Sequence, residues 1–389
     1  MIKKILLIDF FTIFFLGLKK SAQEFSWDSP RFILSLRAGV ACVLAIFLAI
    51  YTEAQDPFWS GISAMTVMMS AHQESFKKGL FRITGTVVGA LLALLVVGLF
   101  VQKPLFLLLS LFLISLMGIY GSLIDKDRMY AWLMGYISTV MVILMPLGNP
   151  TGNSFINVAF YRSYEVILGV LAAFFIQIIF ALFASKKLKS ESKKNKSGVG
   201  YFIFPPLARS EKLKFLKFSF VGTIGVLIGP LLWMFFCLPG FSQIAVSIGA
   251  VLGMDTENTK YKGFLRVLGC AAGALVVFIF LGLGVNNIFI FLILLFLVSV
   301  FFLYFHFSDS EISYFGTQAV VVFYIGVAAG LTPETSLTAS IERLIGIIGG
   351  VCTIVIVLNL LWIGPKEAQL LEIKKQDKKQ DKKQDIGVI

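Results

Sequence analysis

Long apolar segments constrain this chain more than any other feature of its sequence. Five of them, at 32–51, 105–123, 160–183, 289–305 and 339–362, are close to the roughly 20 residues that an α-helix needs to cross about 30 Å of hydrocarbon. Hydrophobic residues make up 58% of the 389 residues, whereas a soluble domain is about half apolar. The sequence therefore predicts an all-α fold, a polytopic membrane helix bundle.

Basic residues indicate how such a bundle sits in the membrane, because short cytoplasmic loops are rich in lysine and arginine. With both termini in the cytoplasm, Lys103 is the only lysine or arginine of the predicted outer loops. A shorter apolar stretch at 5–18 contains Asp9 and is too short to span, which predicts an N-terminal interfacial helix. The twelve predicted spans are 32–51, 57–70, 80–101, 104–123, 129–146, 159–184, 215–236, 240–254, 263–284, 287–305, 312–330 and 339–363.

An internal repeat organises these spans. The sequence KGLFRITGTVVGALL at 78–92 returns as KGFLRVLGCAAGALV at 262–276, and the offset that takes Lys78 to Lys262 is here called the main offset. A slightly smaller offset takes Arg162 to Arg343. Two halves of six spans each follow, and an even number of spans makes them parallel repeats.

The smaller offset also places Gly135 on Gly316. The repeat then divides the chain into five parts. These are an N-terminal segment at 1–31, a first six-span repeat at 32–184, a basic cytoplasmic linker at 185–214, a second six-span repeat at 215–363, and a disordered, lysine-rich cytoplasmic tail at 364–389.

Composition argues against several function classes. The four cysteines stand singly and there are only two histidines, so neither a metal site nor a cofactor site is expected. The chain also lacks the common nucleophile and nucleotide motifs, so it is not expected to be an enzyme. Its net charge of +12 is concentrated at 185–196, 211–217 and 374–385, beside predicted spans. This placement favours contact with membrane lipid over binding of nucleic acid.

Four arginines inside apolar spans are the strongest functional candidates. Arg82 shares a helix face with Gly85 and Gly89, and small residues at that spacing let membrane helices approach closely. An arginine deep in a span costs roughly 2.5–3.5 kcal/mol even on the lenient insertion scale. Alternatively, each arginine snorkels to the nearest membrane surface. Arranged symmetrically on interior faces, they would form positive rings near each end of a central path, which would attract anions. The repeated set is Arg82, Arg266, Arg162 and Arg343, with the packing glycines Gly85, Gly89, Gly269 and Gly273.

The second predicted span of each half is too short to cross lipid alone. Short, Gly- or Pro-interrupted segments at matching positions of two halves indicate a transporter site. Packing between ordinary interior helices is the alternative for each of their small residues. Glu165 and Asp56 are candidates for proton coupling, although Glu165 could simply pair with nearby Arg162. The candidate path residues on the short segments are Trp59, Ser63, Thr66, Gln243 and Ser247.

DPFWSGISAMTVMM at 56–69, followed by KGLFRITGTVVGALL, resembles the FUSC family of fusaric-acid-resistance proteins and aromatic-acid exporters. RSYEVILGVL at 162–171 and RLIGIIGGV at 343–351 resemble the last span of each half in that family. The resemblance implies a bacterial inner-membrane exporter of aromatic carboxylates, driven by the ion gradient and often paired with a periplasmic adaptor. Unlike typical exporters of the family, this chain carries only short basic segments where each half would be followed by a large cytoplasmic domain.

The sequence thus predicts a FUSC-type exporter of organic anions, aromatic carboxylic acids above all. A passive anion channel and a membrane scaffold for envelope assembly remain open as alternatives. A homo-oligomer is also left open.

Overall fold

The computed structural model describes residues 7–148, 154–183, 209–252, 256–285, 287–310, 312–330 and 337–361. All regular secondary structure within these ranges is helical. The helices are α1 (Leu7–Gln23), α2 (Pro30–Tyr51), α3 (Phe58–Val67), α4 (His72–Phe100), α5 (Pro104–Ile124), α6 (Met129–Gly148), α7 (Phe155–Phe183), α8 (Arg209–Phe235), α9 (Phe241–Val251), α10 (Thr256–Gly282), α11 (Ile288–His306), α12 (Ser313–Val327) and α13 (Thr338–Leu361).

Nine of the helices in the described ranges are long and apolar enough to cross a membrane, so the chain is a polytopic membrane helix bundle. Their outer faces carry the side chains that lipid requires. On α4, Leu91, Leu95 and Leu99 form an exposed apolar stripe, whereas Gly89 and Ala93 on the opposite face are buried. Such a stripe would be unfavourable in water and is favourable against acyl chains.

Each of the twelve predicted spans corresponds to one helix, but the lengths differ from the prediction. Helices α3, α9 and α12 have 10, 11 and 15 residues and reach only about 15 to 22 Å at 1.5 Å per residue. Conversely, α4 begins at His72 and α10 at Thr256, about two turns before the predicted starts. Their first turns are polar and hold no proline, so nothing stops the helix where the apolar segment ends.

Helix α8 begins at Arg209, within the predicted linker at 185–214. The rest of the linker and the whole predicted tail lie outside the described residues. Near the N-terminus of the chain, local capping sets the start of α2. Pro30 occupies its first position and the Ser29 side chain accepts the Phe32 N–H at 3.2 Å.

Helices α2–α7, here the first set, and α8–α13, the second set, pack in matching pairs. Within the first set, α4 packs on α6 and α3 packs on α7. The equivalent pairs α10–α12 and α9–α13 form in the second set. Between the sets, α5–α8 matches α11–α2, and α6–α9 matches α12–α3. The two sets are therefore interlocked, and each short helix contacts both of them.

Glycine allows the tightest of these contacts. A Cβ on Gly85 would lie 2.6 Å from the Ala131 carbonyl oxygen, and one on Gly89 would meet the backbone of Gly135. In the second set, a Cβ on Gly269 would lie 2.5 Å from the Phe315 carbonyl oxygen. The fourth glycine of the motif, Gly273, meets the Ala319 backbone in the same way.

These contacts correct the sequence alignment of the repeat. Gly135 faces Gly89, and Ala319 faces Gly273, so Gly135 is equivalent to Ala319 rather than to Gly316. The main offset therefore holds on the fifth helix of each set as well. The smaller offset applies to the last helix only.

The N-terminal helix α1 attaches to the second set. Phe10 and Phe14 are buried in a cluster with Leu265 and Ile312, whereas Phe15 on the other side of α1 is 61% exposed. The C-terminal end of α1 is also held by a polar contact, since the Tyr304 hydroxyl donates to the Ser21 carbonyl oxygen at 3.1 Å. Helix α1 therefore has an apolar face for the protein and an apolar face turned outward.

Candidate functional site

All four repeated arginines are buried in the bundle. Arg82 and Arg266 are 3% exposed, Arg162 is 4% exposed and Arg343 is 6% exposed. None of them reaches a surface, so the alternative of snorkelling side chains is wrong. Since α4 begins early, Arg82 lies ten residues, or about 15 Å, from the start of its helix, rather than two residues after the start of the predicted span at 80.

The short helix α3 brings the first two arginines together. Arg82 Nε donates to Ser63 Oγ at 2.9 Å, and the Arg162 guanidinium carbon lies 3.6 Å from the centre of the Trp59 ring. Trp59 and Ser63 are four residues apart, so they lie one turn apart on the same face of α3. Tyr130 on α6 completes this group by accepting from Arg82 Nη1 at 2.5 Å.

Helix α9 plays the same part in the second set. Arg343 Nη1 donates to Gln243 Oε1 at 2.8 Å, and Arg266 Nη1 donates to the Tyr314 hydroxyl at 3.0 Å. Ser247, four residues after Gln243, is fully buried. The main offset takes Trp59 to Gln243 and Ser63 to Ser247, so the two short helices present equivalent positions to equivalent arginines.

This arrangement corrects the prediction of positive rings near each end of a path. The arginines instead form one pair in each set. Arg82 and Arg162 both contact α3, whereas Arg343 contacts α9 directly and Arg266 is linked to α9 through the Tyr314 hydroxyl. Arg162 is in electrostatic reach of both Arg82 and Arg343, and Arg343 of Arg266. The four buried side chains are here called the arginine cluster.

Glycine again allows the last helix of each set to reach the short helix. A Cβ on Gly169 of α7 would lie 2.7 Å from Ser63 Cβ, and one on Gly350 of α13 would lie 2.8 Å from Ser247 Cβ. Arg162 and Arg343 lie seven residues before these glycines, on the same helix face. Close helix approach therefore holds both arginines against α3 and α9.

A pair of carboxyl groups lies beside Arg162. Glu165 is 1% exposed, its Oε1 accepts the Asp56 N–H at 2.6 Å, and its Oε2 has no hydrogen-bond partner. Asp56 lies in the loop before α3, where burial raises the pKa of its carboxyl from 3.8 to about 6, opposed by the Arg162 charge. Glu165 is the second acid near Asp56. The sequence alternative that Glu165 pairs with Arg162 is not seen as an ion pair between these two described residues, because the Glu165 carboxylate accepts from the Asp56 backbone instead.

Several polar atoms of this region lack a hydrogen-bond partner although they are buried. Such groups are rare in folded proteins and mark strain, a functional role or an absent ligand. Their grouping around the arginines indicates that the cluster is incomplete without another polar molecule. They are Arg162 Nε and Nη1, Glu165 Oε2, Ser247 Oγ, Arg266 Nε, Gln318 Oε1 and Arg343 Nε.

Other residues singled out in the sequence have local partners. Thr66 Oγ1 donates to the Ile62 carbonyl oxygen at 2.9 Å, within its own helix. The main offset takes Thr66 to Ala250, whose carbonyl oxygen accepts from the Tyr314 hydroxyl at 3.4 Å. Both positions therefore lie next to the tyrosine that contacts an arginine.

Sequence reasoning missed three members of the site. Tyr130 and Met134 contact Arg82, at 2.5 Å and 3.3 Å, and the main offset takes Met134 to Gln318. The signal was present, because the separation along the chain between Arg82 and Tyr130 equals that between Arg266 and Tyr314. Applying the main offset to α6 and α12, the fifth helices of the two sets, would have identified these residues.

Two family models match the chain, one over each helix set. The model of the fusaric acid resistance protein family matches residues 31–194, and the model described as fusaric acid resistance protein-like matches residues 235–358. The chain belongs to the fusaric acid resistance family. The first match covers the Trp59, Arg82 and Arg162 positions, and the second covers Gln243, Arg266 and Arg343.

Curated relatives of this family member are named as an efflux pump subunit and a transporter. The p-hydroxybenzoic acid efflux pump subunit AaeB of Citrobacter koseri is 25% identical over 189 residues, which are 45% of this chain and 28% of that protein. The uncharacterized transporter YdhK of Escherichia coli K12 is 32% identical over 150 residues, which are 37% of this chain and 22% of that protein. The chain thus spans about a quarter of the length of these relatives. No solved structure matches it.

Proposed function

We propose that this protein exports organic anions, chiefly aromatic carboxylates, across the bacterial inner membrane, and that the arginine cluster binds them. The observation that carries the proposal is the set of buried guanidinium N–H groups without partners on Arg162, Arg266 and Arg343. A buried cation without a partner is costly, so an anion that completes its hydrogen bonds would be held strongly. The negative charges of the two nearby acids, Asp56 and Glu165, cannot neutralise the four positive charges of the arginine cluster.

The surroundings of the cluster favour an aromatic acid over a small inorganic anion. A guanidinium can hold a carboxylate through two parallel hydrogen bonds. The Trp59 ring lies against Arg162, and the hydroxyl groups of Tyr130 and Tyr314 contact Arg82 and Arg266, so aromatic side chains that could pack on an apolar ring lie beside the cluster. The name of the AaeB relatives, p-hydroxybenzoic acid efflux pump subunit, points to the same substrate class.

A specific membrane layout belongs to this proposal. The chain would cross the membrane twelve times in two parallel six-span repeats, at 32–184 and 215–363, with both termini in the cytoplasm. The short helices α3 and α9 would line the path at the interface of the repeats, as broken helices do in other transporters. Trp59, Ser63, Thr66, Gln243 and Ser247 would be the path residues that these helices contribute.

The acid pair is proposed to couple anion binding to protonation. When Asp56 and Glu165 are ionised, their negative charge competes with an anion for Arg162. Protonation removes that competition, so anion affinity should rise as the pH falls through the raised pKa of Asp56, about 6. The membrane potential, rather than this proton linkage, would drive an anion outward, at about 2.3 kcal/mol per charge per 100 mV.

The proposal also includes protein partners, which the names of the relatives suggest. The AaeB relatives are named as subunits of a pump, so a further protein such as a periplasmic adaptor would assemble with this chain. Association into a homo-oligomer would be compatible with the exposed apolar faces of the bundle. Lipid surrounds the remaining surface.

Flux from reconstituted vesicles tests the proposal. Vesicles that contain the wild-type protein should release radiolabelled 4-hydroxybenzoate faster than empty vesicles, and Arg162→Gln and Arg343→Gln should each abolish the difference. Circular dichroism and gel filtration would verify that the variants insert and fold. Flux that persists without an imposed pH gradient would favour a passive anion channel, and absence of flux with wild-type protein would favour a scaffold.

A further inference from the structure

Outside the arginine cluster, a seam on the surface of the bundle joins helix α2 of the first set to helix α11 of the second set. We propose that this seam binds one anionic phospholipid, whose phosphate contacts Arg37 and whose acyl chain lies in the apolar groove between the two helices. The inference does not depend on the proposed export function.

Arg37 is a cation without an anionic partner. Its Nε is buried and has no hydrogen-bond partner, and none of the salt bridges among the described residues involves it. Its guanidinium carbon lies 4.9 Å from the centre of the Phe180 ring of α7, which packs on α2. A buried donor on a charged group is costly without an acceptor, and phosphate oxygens are strong acceptors for a guanidinium. Arg37 therefore suits the phosphate of a lipid.

Arg37 lies near one surface of the membrane. It is seven residues, or about 10 Å, after the start of α2, and Phe180 is three residues before the end of α7. Side chains on a helix lean toward its N-terminus, so the guanidinium extends toward that surface. The exposed Trp27 precedes α2 on the same side, as expected for an indole at the level of the headgroups. In the proposed layout this is the cytoplasmic surface, whose leaflet carries anionic lipids.

An apolar groove begins one turn after Arg37 and follows the same seam. Val40, Leu44 and Phe47 of α2 line it together with Phe296 and its neighbours on α11, and it encloses about 480 Å³. Val40 and Leu44 are three and seven residues after Arg37, so they lie on the same side of α2. From Arg37 to Phe47 the distance along the helix is about 15 Å, which is half of the roughly 30 Å of hydrocarbon in a bilayer. The groove thus matches an acyl chain of one leaflet, with a cation at its headgroup end.

The equivalent seam, between α5 and α8, differs at the residues that would hold the lipid. The main offset takes Arg37 to Val221, which is buried and apolar. It also takes Phe112 of α5 to Phe296, and the Phe112 ring packs edge-on against Phe220 of α8 at 5.7 Å between ring centres. A pair of rings therefore packs across this seam, and no arginine stands at the position of Arg37. The α5–α8 seam serves as an internal control.

Native mass spectrometry of the purified, delipidated protein tests the inference, because it measures the affinity for the first bound lipid. The probes are dioleoyl phosphatidylglycerol, which is anionic, and dioleoyl phosphatidylcholine, which has the same chains and no net charge. The wild type should bind the first phosphatidylglycerol about tenfold more tightly than phosphatidylcholine, the ratio expected from one charge-assisted hydrogen bond. This preference should be lost in Arg37→Met and largely kept in Arg37→Lys.

Variants in the groove test the place of the acyl chain. Leu44→Trp puts a large ring into the groove and should weaken binding of the first lipid several-fold, whichever headgroup it carries. The main offset takes Leu44 to Ile228, so Ile228→Trp makes the same change on the α5–α8 seam and should bind lipid as the wild type does. Val40→Phe is the second groove variant if Leu44→Trp does not fold, and thermal unfolding without lipid verifies each variant.

An Arg37→Met variant that keeps the preference for phosphatidylglycerol would overturn the inference. Equal loss of binding in Leu44→Trp and Ile228→Trp would also overturn it, because the chain would then not be specific to the α2–α11 groove. Glycerol phosphate, which carries the phosphate without acyl chains, should not displace the bound phosphatidylglycerol. Displacement at equal concentration would assign Arg37 to a free phosphate and would contradict a lipid site.

Discussion

Replacing Arg266 by methionine should stabilise the protein, whereas the same change at Arg82 should destabilise it. Methionine is similar in length to arginine, apolar and flexible enough to fill the space. Both replacements remove a buried charge and the contact of that charge with a tyrosine. They differ in the remaining contacts of the guanidinium.

The expected difference follows from two contacts. Arg82 Nε makes a hydrogen bond to Ser63, and a bond to a charged group contributes about 1.5–3 kcal/mol. Arg266 Nε is buried without a partner, which costs about 1–3 kcal/mol. Because the tyrosine bonds are common to both, Arg266→Met should be more stable than Arg82→Met by about 4 kcal/mol. Removal of a buried, poorly paired charge is often stabilising, so Arg266→Met should also exceed the wild type.

Equilibrium unfolding in mixed detergent micelles, without ligand, would measure these free energies. Arg266→Met should also lose binding of aromatic acids, so that stability rises while function is lost. The reasoning would be refuted if Arg266→Met lost as much stability as Arg82→Met, because Arg266 would then have protein partners that the geometry does not provide.

Three further predictions concern packing, pH and the Trp59 contact. Gly89→Ala should cost about 1–3 kcal/mol of unfolding free energy because its Cβ would meet a neighbouring backbone, whereas Gly98→Ala, with nothing within 4 Å, should cost almost nothing. Since burial raises the pKa of Asp56 from 3.8 to about 6, the folded state holds a proton that the unfolded chain releases, so stability should fall as pH rises from about 4 to 6. Unfolding measured against pH should show a shallower fall in Asp56→Asn. Trp59→Leu should lose about 2 kcal/mol through the contact with Arg162, and Trp59→Phe should lose less in the same unfolding assay.

The helices were largely predictable from the sequence because lipid demands long apolar segments. Each predicted span became a helix, including those near α3 and α9, whose shortness was visible from the residues around Pro57 and Gly240. Helix starts were less predictable, since polar turns can continue a helix into water. The start of α4 at His72 places Arg82 ten residues after the helix start, whereas the predicted span begins only two residues before it.

Burial of the arginines and the packing role of Gly89 and Gly273 follow from local spacing and were within reach of the sequence. The pairing of Arg82 with Arg162 was not, since it depends on how α4 and α7 both approach α3. That the Ser247 hydroxyl lacks a hydrogen-bond partner could not be predicted from the sequence either. Its sequence context resembles that of Ser63, and only the positions of neighbouring side chains distinguish a bonded hydroxyl from an unpaired one.

The central claim is that buried, unpaired guanidinium groups in this protein bind an aromatic carboxylate through its charge. Calorimetric titration of the purified wild-type protein with 4-hydroxybenzoate and with the uncharged 4-hydroxybenzamide tests it most directly, since the two ligands share the ring and hydroxyl. The account predicts a Kd for the acid at least about tenfold lower than for the amide, as a charge-assisted bond requires. Equal affinity for both, or binding of neither, would contradict it.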